Sequence, residues 1–77
     1  MNTELLILEL LADDSSVANY TASRAKTYKG VYDKRQITED EFVNLMVMLL
    51  TDVKNANLDN DLRKKLEIML NALIDNI

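Results

Sequence analysis

The sequence of 77 residues contains no cysteine, no histidine, no proline and no tryptophan, and it has a single glycine. Without cysteine the chain cannot form a disulfide, and without cysteine or histidine it lacks the usual ligands of a structural zinc site. The same absences remove the most common general base and the thiolate nucleophile. We therefore predict a protein that is not an enzyme and that uses no metal and no other cofactor.

The chain is small for a domain that folds alone. A domain of this size buries only about 60% of the surface that its unfolded chain exposes, and here no disulfide or metal can compensate. Apolar residues nevertheless make up 48% of the sequence. We predict one domain over residues 1–77, stabilised by close helix packing or by association with another chain.

The first eleven residues form a short apolar segment. A secretory signal begins with positive charge, whereas this segment contains Glu4 and Glu9. It is also much shorter than the ~20 apolar residues that cross a bilayer. Since no cysteine indicates an oxidising compartment, these features predict a cytoplasmic protein without a membrane span.

The net charge is −4, but the basic residues are concentrated in the middle of the chain. Residues 1–23 contain four acids and no base, and residues 36–77 contain eight acids and four bases. Residues 24–35 contain five bases and one acid. The five bases are Arg24, Lys26, Lys29, Lys34 and Arg35. Because tyrosines alternate with these bases, the block is a candidate nucleic-acid contact and supports an alternative function as a small nucleic-acid-binding regulator.

Apolar periodicity predicts helices on both sides of residue 15. Residues 5–11 are rich in leucine and apolar on nearly every side, which favours a buried helix. Asp13–Ser16 has the composition of a break and a new N-cap, although the sequence leaves open whether the chain bends there or continues as one helix. Gly30 can end a helix, but the apolar stripe continues in phase beyond it. We therefore predict a helix over residues 15–34.

The most specific local signal lies just before residue 42. The side chain of Thr38 can accept a hydrogen bond from the N–H of Glu41, and the Glu41 carboxylate can accept one from the N–H of Thr38. Ile37 and Phe42 have the spacing of a hydrophobic staple across this capping box. We predict that a strongly apolar helix begins after Thr38 and ends near Lys54.

The last helix is predicted from about Asp59. Residues 55–57 allow only a tight turn, so this helix packs antiparallel to the preceding one. Two acid–base pairs on it, Asp59 with Arg63 and Asp61 with Lys65, have the spacing of helical ion pairs. The acids near residue 59 also match the start of a calcium loop, but the glycine and the final glutamate of that loop are absent, so we interpret them as helix-capping residues.

Together these segments predict an all-α fold, a small bundle of three to four helices. Its core is the C-terminal antiparallel helix hairpin formed by residues 38–54 and 58–76, and the helix over residues 15–34 packs across that hairpin.

The sequence contains more apolar residues than a bundle of this size can bury. Those outside the main stripes of their helices are Leu6, Ile7, Leu10, Val47, Met48, Ile68 and Ile74. Exposed apolar patches of more than a few hundred Å² mark partner sites. We therefore predict that these residues mediate self-association or docking on another protein. The sequence leaves open whether the N-terminal leucines belong to the core or to the interface.

Residues 32–45 read YDKRQITEDEFVNL, an aromatic residue followed by polar residues, Ile-Thr, three acids and then Phe and Leu. This segment resembles the helix–turn–helix of short SHOCT-type domains, and it is similar to segments of small helical proteins encoded by bacteriophages. Gln36 stands where the turn of such domains usually has glycine. The resemblance implies a phage-type accessory, assembly or host-inhibiting protein in the host cytoplasm, and it transfers no functional residue.

Overall fold

Helix caps and breaks divide the chain into four α-helices. In the computed structural model, which describes residues 2–77, α1 spans Thr3–Leu11, α2 spans Ser16–Asp33, α3 spans Glu39–Asn55 and α4 spans Asn60–Asp75. Residues 2–77 contain no β-strand. The predicted all-α class is confirmed, with four helices.

Pairwise contacts define the arrangement of the bundle. Within residues 2–77, every pair of helices is in contact except α1 and α3. The predicted C-terminal hairpin is formed by α3 and α4, and α2 packs against both of its helices. It follows that α1 and α3 lie on opposite sides of the α2–α4 pair.

All four helices contribute to one apolar core. The apolar side chains of α2 that are fully buried are all alanines, which allow the other helices to approach its backbone closely. The larger buried side chains come from the other three helices, and the Tyr32 ring stacks on Phe42 with ring centroids 4.9 Å apart. The buried apolar residues are Ile7, Leu10, Ala18, Ala22, Ala25, Phe42, Met46, Leu49, Val53, Leu66, Met69, Leu70 and Leu73.

The chain bends between α1 and α2. The Ser15 hydroxyl accepts a hydrogen bond from the backbone N–H of Ala18, which starts α2. From the first turn of α2 the Asn19 side-chain amide donates to the backbone carbonyls of Leu10, Leu11 and Asp13, at 3.0, 3.0 and 2.8 Å. The last carbonyls of a helix have no partner within the helix, so Asn19 ends α1 and holds the bend.

The α2 helix continues through Gly30, as predicted, and ends in a Schellman motif. The backbone N–H of Arg35 donates to the carbonyl of Tyr32 at 2.9 Å, and that of Gln36 donates to the carbonyl of Val31 at 3.1 Å. The φ angle of Arg35 is 61°, in the left-handed region that glycine usually occupies. The left-handed residue of this turn is therefore Arg35, not Gln36.

The predicted start of α3 is confirmed. The Thr38 hydroxyl accepts from the backbone N–H of Glu41 at 3.1 Å, and Glu41 Oε1 accepts from the backbone N–H of Thr38 at 2.9 Å. Ile37 is partly buried against the core that contains Phe42. The capping box thus directs the chain into its most apolar helix with both residues of the predicted staple at the core.

The two ion pairs predicted within α4 are wrong. The guanidinium of Arg63 donates instead to the backbone carbonyl of Ala56 at 2.6 Å, because the last carbonyls of α3 need external donors. Lys65 Nζ lies 3.2 Å from a carboxylate oxygen of Glu9, a residue of α1. Arg63 and Lys65 therefore connect α4 to neighbouring segments.

The Thr38→Ala substitution is expected to lower the free energy of unfolding by about 1 kcal/mol, because it removes the side-chain acceptor of the capping box. Urea denaturation followed by circular dichroism measures this change. Thr27→Ala, at an exposed position inside α2, is the matched control and should leave stability unchanged or slightly higher. An unchanged urea midpoint for Thr38→Ala would contradict the assigned role of the cap.

The Asn19→Ala substitution is expected to lower the free energy of unfolding by about 1–3 kcal/mol, because it removes three hydrogen bonds to backbone carbonyls, two of them partly buried. Asn71→Ala changes an exposed asparagine of α4 and should have little effect. Equal effects of the two substitutions in the same urea titration would show that Asn19 does not hold the bend.

The Arg35→Gly substitution is expected to raise the free energy of unfolding by about 0.5–1 kcal/mol, since glycine adopts the left-handed conformation without the penalty paid by arginine. Lys34→Gly, one position earlier at a φ angle of −83°, gains no such relief and should destabilise the protein. Thermal unfolding of the two variants gives the sign of each change, and destabilisation by Arg35→Gly would refute the interpretation.

Candidate protein-interaction surface

Three helices of the bundle place large aliphatic side chains in water. Leu5 and Leu8 of α1 are 63% and 56% exposed, and Met48 of α3 is 63% exposed. The remaining exposed large apolar residues within residues 2–77 are Tyr20, Val47, Ile68 and Ile77. What these side chains can do depends on which of them are neighbours.

Leu5 and Leu8 are neighbours on one face of α1, because residues three positions apart lie side by side on a helix. Ile7 and Leu10 of the same helix are buried in the core. Helix α1 contacts α2 and α4 but not α3, so its outer face has no cover within residues 2–77. We call the pair Leu5 and Leu8 the α1 ridge.

The seven residues predicted to form an interface divide into three groups. Val47, Met48 and Ile68 are exposed. Leu6 and Ile74 are partly buried and pack against the core.

Ile7 and Leu10 form the third group, because their side chains are buried in the core and leave little surface for a partner. The α1 ridge was not predicted from the sequence. The sequence feature that indicates it is the three-residue spacing of Leu5 and Leu8. This spacing identifies an exposed face only when the structure shows that Ile7 and Leu10 face the core.

The exposed apolar residues of α3 and α4 do not pair along one helix face as Leu5 and Leu8 do. Val47 and Met48 are consecutive, so they project about 100° apart on α3. Ile68 lies on α4 with Lys64 and Asn71, both exposed and polar, as its helical neighbours. Singly exposed apolar residues of this kind are normal on a protein surface.

A groove runs beside the α1 ridge. It has a volume of about 380 Å³ and lies between the N-terminal part of α1 and the C-terminal part of α2. Helix α1 has 9 residues and α2 has 18, so α1, at about 14 Å, covers only part of α2, at about 27 Å. The lining residues are Glu4, Ile7, Leu8, Lys26, Lys29, Gly30 and Asp33. A methyl group added at Gly30 would meet no atom within 4 Å, so the groove is open there.

The charged residues of the groove differ in their pairing. Lys29 Nζ lies 2.6 Å from Asp33 Oδ1, so these two charges neutralise each other. Glu4 and Lys26 are exposed and form no ion pair within residues 2–77. The four charges sum to zero, and one acid and one base remain free to pair with another molecule.

The basic residues of the block 24–35 do not share one face. Arg24 and Lys26 are two positions apart and therefore project to nearly opposite sides of α2. Arg24 lies over the Tyr20 ring, 5.3 Å from its centroid, and Lys29 is paired with Asp33.

Lys34 and Arg35 are exposed where α2 ends. Of the interleaved tyrosines, Tyr28 and Tyr32 are partly buried against the core, and one face of the Tyr32 ring is stacked on Phe42. Within residues 2–77 the five bases of this block therefore do not form one basic face shared with Tyr28 and Tyr32 of the kind that single-strand binding uses.

The described residues offer neither a metal site nor a membrane span. Residues 2–77 contain no cluster of three or more acidic side chains placed to hold a metal ion. None of the helices in the described part of the chain combines the length and the apolar character that a bilayer span requires. The α1 ridge with its groove is therefore the candidate site.

Comparisons with protein-family models, curated proteins and solved structures gave no match to this chain. The resemblance of residues 32–45 to SHOCT-type and bacteriophage proteins accordingly remains a prediction from the sequence.

Proposed function

We propose that this protein is a non-enzymatic protein-interaction module that acts through the outer face of α1, by self-association or by docking on a larger protein. The observation that carries the proposal is the exposure of Leu5 and Leu8, 63% and 56%, on a helix whose opposite face is already buried in the core. The packing of the bundle therefore does not use the side chains of the α1 ridge.

Local structure does not explain leucine at these two positions. Lysine, glutamate and glutamine support a helix about as well as leucine does and would cost nothing in water. Each exposed leucine instead leaves apolar surface in water that a partner can cover, with a gain of roughly 1–2 kcal/mol per side chain. Leucine at both positions is therefore consistent with a face that is covered in the working protein.

The α1 ridge is too small to hold a partner by itself. Two leucines supply roughly 2–4 kcal/mol, whereas association costs about 4–15 kcal/mol in lost translational and rotational freedom. A stable complex must bury additional surface around the ridge. The adjoining groove, with Ile7 and Gly30 in its lining, is the nearest such surface.

A role in viral assembly or host inhibition rests on the resemblance of residues 32–45 to bacteriophage proteins, and we propose it as the setting of this module. The α1 face itself is independent of that resemblance, since it lies outside the matching segment.

We expect a photo-crosslinking amino acid at position 8 to give a discrete covalent adduct when the protein is illuminated in its native host. The benzophenone group inserts into C–H bonds only of a molecule in contact with it. The adduct should disappear when Leu5→Glu is introduced into the same chain, since the charge would disrupt the α1 ridge. Gel electrophoresis and mass spectrometry identify the adduct.

The same amino acid at position 48 is the control, because Met48 is as exposed as Leu5 but lies on α3. An adduct at position 48 and none at position 8 would refute the assignment of the function to α1. An adduct at position 8 that survives Leu5→Glu would do the same.

A further inference from the structure

We propose that the partner of the α1 face is a second copy of this chain, related by a two-fold axis, so that the α1 ridge of each copy lies against the groove of the other. This inference rests on the proposed function and names its partner. It is carried by the shape of the face and by the charges on its rim.

The α1 face contains two complementary features, the apolar α1 ridge and the groove beside it. Leu8 belongs to the α1 ridge and also lines the groove, so the two features are adjacent. In a two-fold dimer the same patch serves both subunits: if residue i contacts residue j of the partner, then j contacts i. A protruding apolar ridge beside an apolar groove satisfies this condition, because each copy offers what the other needs.

The groove can accept the ridge. Its volume is about 380 Å³, whereas an apolar cavity of about 150 Å³ already holds a benzene molecule. Gly30 leaves its part of the lining without a side chain, and open space lies beyond its Cα atom. The groove therefore has room for a leucine side chain of the partner and its neighbours.

The rim charges favour a copy of the same chain over a partner of one charge sign. Glu4 and Lys26 are the two rim groups without an ion-pair partner within residues 2–77. In the proposed dimer Glu4 of each copy pairs with Lys26 of the other, and the two-fold symmetry makes the two ion pairs equivalent. A strongly basic or strongly acidic partner would satisfy one of these groups and repel the other.

Sedimentation equilibrium of the purified chain tests the proposal. We expect the mass to rise with concentration from the 8.8 kDa monomer to twice that value. Leu8→Glu should raise the dimer dissociation constant at least about tenfold, because a charge would enter the apolar groove. Met48→Glu is the control, since it adds the same charge on α3 and should leave the constant unchanged. Circular dichroism verifies that both variants stay folded.

Charge reversal gives the sharper test. Glu4→Lys and Lys26→Glu should each weaken the dimer about tenfold when alone, because each sets two pairs of like charges opposite one another. An equimolar mixture of the two variants should recover the parental dissociation constant. In each mixed dimer the base introduced at position 4 faces the acid introduced at position 26, and the unchanged Glu4 faces the unchanged Lys26. A change confined to one subunit cannot be rescued by mixing, so recovery requires contacts between subunits.

Several outcomes would overturn the proposal: a monomer at every concentration, a dimer insensitive to Leu8→Glu, a dimer equally weakened by Met48→Glu, or no recovery on mixing. The crosslink at position 8 distinguishes failure of the proposed dimer from failure of the proposed interaction function. A monomeric chain that crosslinks there to a different protein would refute self-association and leave the interaction module intact. A monomeric chain without that crosslink would refute both.

Discussion

Burial of Ile7 and Leu10 against the rest of the bundle sets the rotation of α1, and that rotation determines which leucines remain in water. Helix α1 is apolar on both of its faces, but only one of them can face the core. Two polar contacts support the same orientation. Asn19 binds the last carbonyls of α1, and a lysine of α4 lies 3.2 Å from Glu9. With α1 fixed in this way, its outer leucines have no position inside the bundle.

The small size of the chain makes this exposed face significant. In a bundle of 77 residues, a single core rarely supplies more than about 3–5 kcal/mol of stability. Burial of the two leucines that remain in water would therefore add substantially to the stability of the fold. Any partner that binds the folded chain and not the unfolded one also stabilises the fold through mass action. Association through α1 would therefore contribute both to the activity of the module and to the stability of its shortest helix.

Local signals in the sequence were sufficient to predict the helical segments but left open the bend between α1 and α2, and the candidate surface likewise depends on tertiary contacts. The capping box at Thr38 uses neighbouring backbone groups, so its geometry follows from spacing alone. An all-round apolar segment has no periodicity that separates its inner face from its outer face, and so Ile7 and Leu10 were assigned to the surface while Leu5 and Leu8 were missed. The partners of Arg63 and Lys65 lie at the end of α3 and on α1, and spacing within one helix cannot reveal them.

The groove results from local features of two helices. The Asn2 cap starts α1 at Thr3 and the bend held by Asn19 ends it at Leu11, while the continuation through Gly30 extends α2 to 18 residues. If α2 ended at Gly30, Asp33 would not lie one turn after Lys29, and the far wall of the groove would lose its helical form. If α1 were longer at its N-terminus, it would cover the same stretch of α2. The open face of this protein is thus a consequence of unequal helix lengths, and the leucines beside it are what make that face apolar.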